Sequence, residues 1–127
     1  MSSDGPVVMV VDDDIDLLDA LALILERRGY RVLTATGGEQ ALEQLQTNAP
    51  LPSLILVDLM MPGMNGWSLR QKLLESPAYA NIPVVVLSGD HSVLRTAPPP
   101  RCTRALQKPV DLVTLLDAVK EGCACRA

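Results

Sequence analysis

Apolar runs punctuate the chain at intervals, and a polar residue follows each of them. Val7-Val8-Met9-Val10-Val11, Leu54-Ile55-Leu56-Val57 and Pro83-Val84-Val85-Val86-Leu87 are unbroken and rich in valine and leucine. That pattern belongs to strands buried on both faces, since a strand with one wet face alternates. Arg31 to Ala35 and Arg104 to Gln107 are shorter and more mixed, and read as two further strands.

Helical periodicity fills the intervals. Leu18, Leu21, Ala22 and Leu25 recur at i, i+3, i+4 and i+7, with Asp14 placed to cap the start and Gly29 to end the helix. Thr36 and Glu39 have capping-box spacing, which predicts a second helix over Gly38 to Gln46. A third runs from about Gly66, capped by Asn65, to Glu75. The last carries Leu112, Leu115, Leu116 and Val119 on one face, with Asp111 as cap and Gly122 as stop. Between Ser88 and Lys108 the pattern degrades: a helix begun at His91 to Leu94 cannot continue through Pro98-Pro99-Pro100.

Strands alternating with helices over such short connections predict a parallel sheet with right-handed crossovers and helices on both faces. A length of 127 residues suits one domain, 1–127, with a core over about 7–120 and tails at 1–6 and 121–127. In open parallel sheets, ligands bind beyond the carboxyl ends of the strands. Asp12, Asp13, Asp58, Ser88 and Lys108 each follow a strand, so all should gather at that edge.

Composition narrows the possibilities. A net charge of −4 with scattered Lys and Arg argues against direct nucleic-acid binding. No run is long enough to span a bilayer and no signal peptide is evident, so a cytoplasmic location is expected. Cys102, Cys123 and Cys125 match no zinc or redox spacing and read as reduced thiols, two of them in a C-terminal tail.

The chemistry follows from the carboxylates. Clustered acids repel unless a cation intervenes, and a site of oxygen donors alone suits Mg²⁺ rather than zinc. Such a metal could hold a phosphoryl group while one Asp oxygen attacks it to form an acyl phosphate. The Lys108 ammonium could pair with the phosphoryl oxygens and the Ser88 hydroxyl could donate to them. Each feature also has a plainer explanation: the Asp12-Asp13-Asp14 triplet as a helix-terminal acid cluster, Asp58 as a turn residue. Five such residues at the ends of four strands are harder to explain that way.

The ordered set Asp12-Asp13, Asp58 with Met61-Pro62-Gly63-Met64-Asn65-Gly66, Ser88-Gly89 and Lys108-Pro109 resembles the receiver domain of bacterial two-component response regulators, of the chemotaxis-regulator kind. The likeness spans about Val7 to Val119. It implies a flavodoxin-like, doubly wound five-stranded sheet of order 2-1-3-4-5, with a fourth helix that is short or remodelled here. It also implies Asp58 as phosphoacceptor, with Lys108 and Ser88 as its phosphoryl partners. Mg²⁺ would be held by Asp13, Asp58 and the Met60 backbone carbonyl, and by Asp12 through a water. The partners implied are a sensor histidine kinase or histidine phosphotransfer protein and an unknown downstream protein. Catalysis would be limited to self-phosphorylation and slow autodephosphorylation, at a rate tuned by Met60 and Asp90.

Three departures stand out. Ala105 occupies the place of the family's usual switch aromatic, Pro98 to Pro100 interrupts the fourth helix, and only Glu121 to Ala127 follows the last helix. His91, the single histidine, reads as a solvated loop residue rather than a phosphodonor. Two other functions remain: a receiver-like scaffold that binds its partner regardless of phosphorylation, and a haloacid-dehalogenase-like phosphatase. The latter wants a second Asp two residues past the nucleophile, where Met60 stands.

Overall fold

A computed structural model describes residues 6–47, 51–58, 66–88, 103–107 and 111–124. Its strands are β1 (Val7–Val11), β2 (Arg31–Ala35), β3 (Leu54–Asp58), β4 (Val84–Ser88) and β5 (Thr103–Gln107). They form one parallel sheet of order β2-β1-β3-β4-β5. The described helices are α1 (Ile15–Arg27), α2 (Gly38–Thr47), α3 (Gly66–Leu74) and α4 (Leu112–Ala124). The helix expected between the fourth and fifth strands, with Pro98 to Pro100, lies outside the described residues, as do Met60, Asn65, Asp90, His91 and Lys108.

Unbroken apolar strands have two buried faces, and the side-chain period of two sorts their residues between two cores. Val8, Val10, Leu54, Leu56, Val85 and Leu87 pack with Leu18, Leu21 and Leu25 of α1 and Leu115, Ala118 and Val119 of α4. Met9, Val11, Ile55, Val57, Val84 and Val86 pack on the other side with Ala41 and Leu45 of α2 and Leu69 and Leu73 of α3. A one-residue slip in any central strand would exchange these two sets, so the register is strongly specified. It runs Val10 to Leu56, Leu56 to Val85 and Val85 to Arg104 across the central strands.

The ends of the helices show where sequence reading succeeded and where it slipped. Asp14 caps α1 as expected, its carboxylate accepting from the Leu17 N–H. Gly29 ends it with φ 93°, while the N–H groups of Gly29 and Tyr30 return to the carbonyls of Glu26 and Leu25. This paired return is a Schellman motif, and the left-handed residue it needs is cheapest as glycine.

For α2 the cap is shifted by one residue. The Ala41 N–H donates to the Gly37 carbonyl at 3.0 Å, and Gln40, not Glu39, reaches back to Thr36. Gly37 therefore takes the cap position, and the third helical residue after it is Gln40.

Gly122 was expected to stop the last helix, but α4 continues through Ala124. The Gly122 Cα lies so close to the Leu54 side chain that a Cβ there would collide with Leu54 Cδ1. Close approach to β3, rather than chain termination, accounts for this glycine. The expected C-terminal tail is accordingly shorter, and Cys123 packs half-buried against the α1–α4 core as a free thiol whose pKa burial pushes up. Among the described residues, no helix is long and apolar enough to cross a membrane.

Candidate phosphoryl-transfer site

The parallel sheet places every strand's carboxyl end at one edge, and the acids collect there. Asp12 directly follows β1, and its N–H donates to the Ala35 carbonyl at 3.1 Å, carrying the β1–β2 ladder one step past the strand. Asp58 is the last residue of β3. The period of two aligns it with Leu54 and Leu56, on the face that α1 covers.

Asp12 is 2% exposed and Asp58 7%, the two buried charged residues among those described. Asp13 is exposed. One carboxylate oxygen from each of the three lies within 4.8 Å of the others. Two ionised acids at that spacing repel by on the order of 3 kcal/mol at an effective dielectric of about 20. Burial adds a desolvation cost, so a cation is the natural complement.

The donor set fits a small hard dication. It offers oxygen alone, with no thiolate or imidazole among the described members, and it is open on the Asp13 side to water. Mg²⁺ binds through one or two carboxylates and retains several waters. The three acids converge as the sequence predicts. The Met60 carbonyl and Lys108 fall outside the described residues.

Ser88 ends β4, where its backbone pairs with Gln107, the residue immediately before Lys108. Asp58 pairs with Leu87, one residue before Ser88. The backbone thus brings the ends of β3, β4 and β5 into adjacent positions at the edge that carries the acids.

One contact escaped sequence reading. The Asp14 N–H donates to Asp12 Oδ1 at 2.9 Å. An acid accepting from the amide two residues on is a common local turn, so the Asp-x-Asp spacing was its available signal.

A doubly wound sheet of this order, with acids converging at its carboxyl edge, defines an α/β phosphoacceptor architecture of the flavodoxin-like class. More specifically, the chain belongs to the response regulator receiver domain family, whose profile matches residues 8–120. Members of that family are phosphoacceptor signalling modules of two-component systems rather than typical catalysts.

Among relatives, a putative two-component response regulator of Arabidopsis thaliana is 39% identical over 83 residues. That match covers 65% of this chain and 13% of the relative, so the chain spans a small part of that longer protein. A 14.6 kDa protein of Leptolyngbya boryana is 32% identical over 122 residues, covering 91% of this chain and 88% of its own length. The crystal structure of the receiver domain of the hybrid histidine kinase CckA superposes with a TM-score of 0.75 at 31% identity, covering 92% of this chain and 98% of that one. The phosphatase and scaffold alternatives gain no support from these likenesses.

Proposed function

We propose that Asp58 is the residue that takes the phosphoryl group, with Mg²⁺ held by Asp13, Asp58 and the Met60 carbonyl, and by Asp12 through a water. The observation that carries this reading is the convergence of the three carboxylates at the ends of β1 and β3. When bound, the metal supplies charge neutralisation for the acids and for the incoming phosphoryl oxygens.

The chain's own residues then divide the work. An Asp58 oxygen attacks phosphorus while the bond from phosphorus to the donor imidazole nitrogen breaks; with the donor ring protonated on its other nitrogen, this leaves an acyl phosphate here and a neutral imidazole on the donor. Lys108 pairs with the phosphoryl oxygens and the Ser88 hydroxyl donates to them. The backbone pairing of Ser88 with Gln107 supports their action as a pair. The site catalyses its own phosphorylation and a slow hydrolysis, and turns over no other substrate.

The donor is a phosphohistidine on a sensor kinase or a phosphotransfer protein. The likeness to a receiver domain of a hybrid histidine kinase supports this assignment. The receptor of the signal is a protein rather than nucleic acid, in keeping with a net charge of −4, and the setting is cytoplasmic. With Ala105 where the family carries an aromatic, the output depends on Ser88 and its loop.

Incubation with Mg²⁺ and a small acyl-phosphate donor tests the assignment by intact mass. The wild type should gain one phosphoryl group, and neither Asp58→Asn nor chelated wild type should. A label that persists in Asp58→Asn would remove Asp58 from the role.

A further inference from the structure

Asp14 is the third acid of the triplet, yet its carboxylate stays out of the group formed by Asp12, Asp13 and Asp58. That carboxylate caps α1, accepting from the Leu17 N–H at 3.2 Å. The Asp14 backbone is extended, with φ −88° and ψ 103°, as an N-cap residue requires. In that conformation its own N–H points back along the chain and donates to Asp12 Oδ1. One residue therefore faces two ways, its side chain toward the helix and its amide toward the buried acid.

We propose that Asp14 is a positioning residue of the phosphoryl site. Its cap fixes the backbone turn, and the turn's amide fixes the Asp12 carboxylate beside Asp13 and Asp58. Asp12 is almost fully buried, so the direction of this hydrogen bond bears on where its carboxylate lies. Capping also commits a fourth negative charge to the positive end of α1, where the helix dipole favours it. Any acid, amide or hydroxyl that caps well will serve; an alanine will not. The inference rests on the assignment of Mg²⁺ to the three acids.

Calorimetric titration with Mg²⁺ on four variants separates the possibilities. Asp14→Ala should weaken binding by about tenfold, the loss usual when a group that orients a ligand is removed. Asp14→Asn and Asp14→Ser should remain within about twofold of wild type, because both keep the cap. Asp13→Asn serves as the site control and should abolish measurable binding.

Hydrogen exchange of the residue 14 amide supplies a readout independent of the metal. Protection should fall in Asp14→Ala and persist in the Asn and Ser variants. Equal weakening by Asp14→Ala and Asp14→Asn would mean that charge alone acts at a distance, and would overturn the proposal. Wild-type affinity in Asp14→Ala would also overturn it. Wild-type Mg²⁺ affinity in Asp13→Asn would refute the metal assignment instead, and amide exchange would still decide whether the cap holds the turn.

Discussion

Gly122 and Leu54 show how closely one residue can be tied to its neighbour. The glycine lies within α4, a position that usually costs a helix about 1 kcal/mol relative to alanine. Here the missing side chain lets α4 settle against the first residue of β3, whose own side chain is fully buried. Gly122→Ala therefore trades a gain in helix propensity against a collision in a close-packed core. The collision should dominate, lowering stability by about 1–3 kcal/mol, as overpacked cores do. Chemical denaturation would check it; an alanine variant as stable as wild type would show that Leu54 can move aside. A glycine near a predicted helix end reads as a stop signal from sequence, because packing distance to a distant strand leaves no local mark.

Elements depend on their ends as much as on their faces. Asp111 directly precedes α4, its carboxylate accepting from Thr114, and that hydrogen bond holds its carboxyl below the usual range. A carboxylate with a depressed folded pKa stabilises the protein above its unfolded pKa, near about 4, and loses that contribution as pH falls through the folded value. Asp111→Ala should then be less stable than wild type at neutral pH, with the difference shrinking below about pH 4. Denaturant midpoints at several pH values would show this; a gap independent of pH would assign the loss to something other than the ionised cap. The caps of α1 and α4 were legible because an acid directly precedes each helical run, Asp14 before Ile15 and Asp111 before Leu112. The cap of α2 was not, since Thr36 and Gly37 compete for it and Gln40 and Glu39 compete for the reply.

At the scale of the whole molecule, three continuous apolar runs specify most of the outcome. Burial on both faces demands helices on both sides, and a helix crossing between successive strands returns the chain to run parallel, so the carboxyl ends share one edge. From there the juxtaposition of Asp12, Asp13 and Asp58 follows without any further local signal. What was not read was how the acids are held: the Asp14 amide reaches Asp12 because Asp14, as the cap of α1, takes an extended backbone, and the residue spacing hints at that turn without fixing it. The site is thus a consequence of topology, refined by capping.

If the site works as proposed, its phosphoryl group goes to Asp58 and to no other acid. Borohydride reduction of the phosphorylated protein, followed by peptide sequencing, tests it most directly, because it converts an aspartyl phosphate to homoserine in place. Homoserine should appear at position 58, and only when Mg²⁺ is present. Homoserine at position 12 or 13, or stable phosphate on a hydroxyl residue with position 58 unchanged, would contradict it.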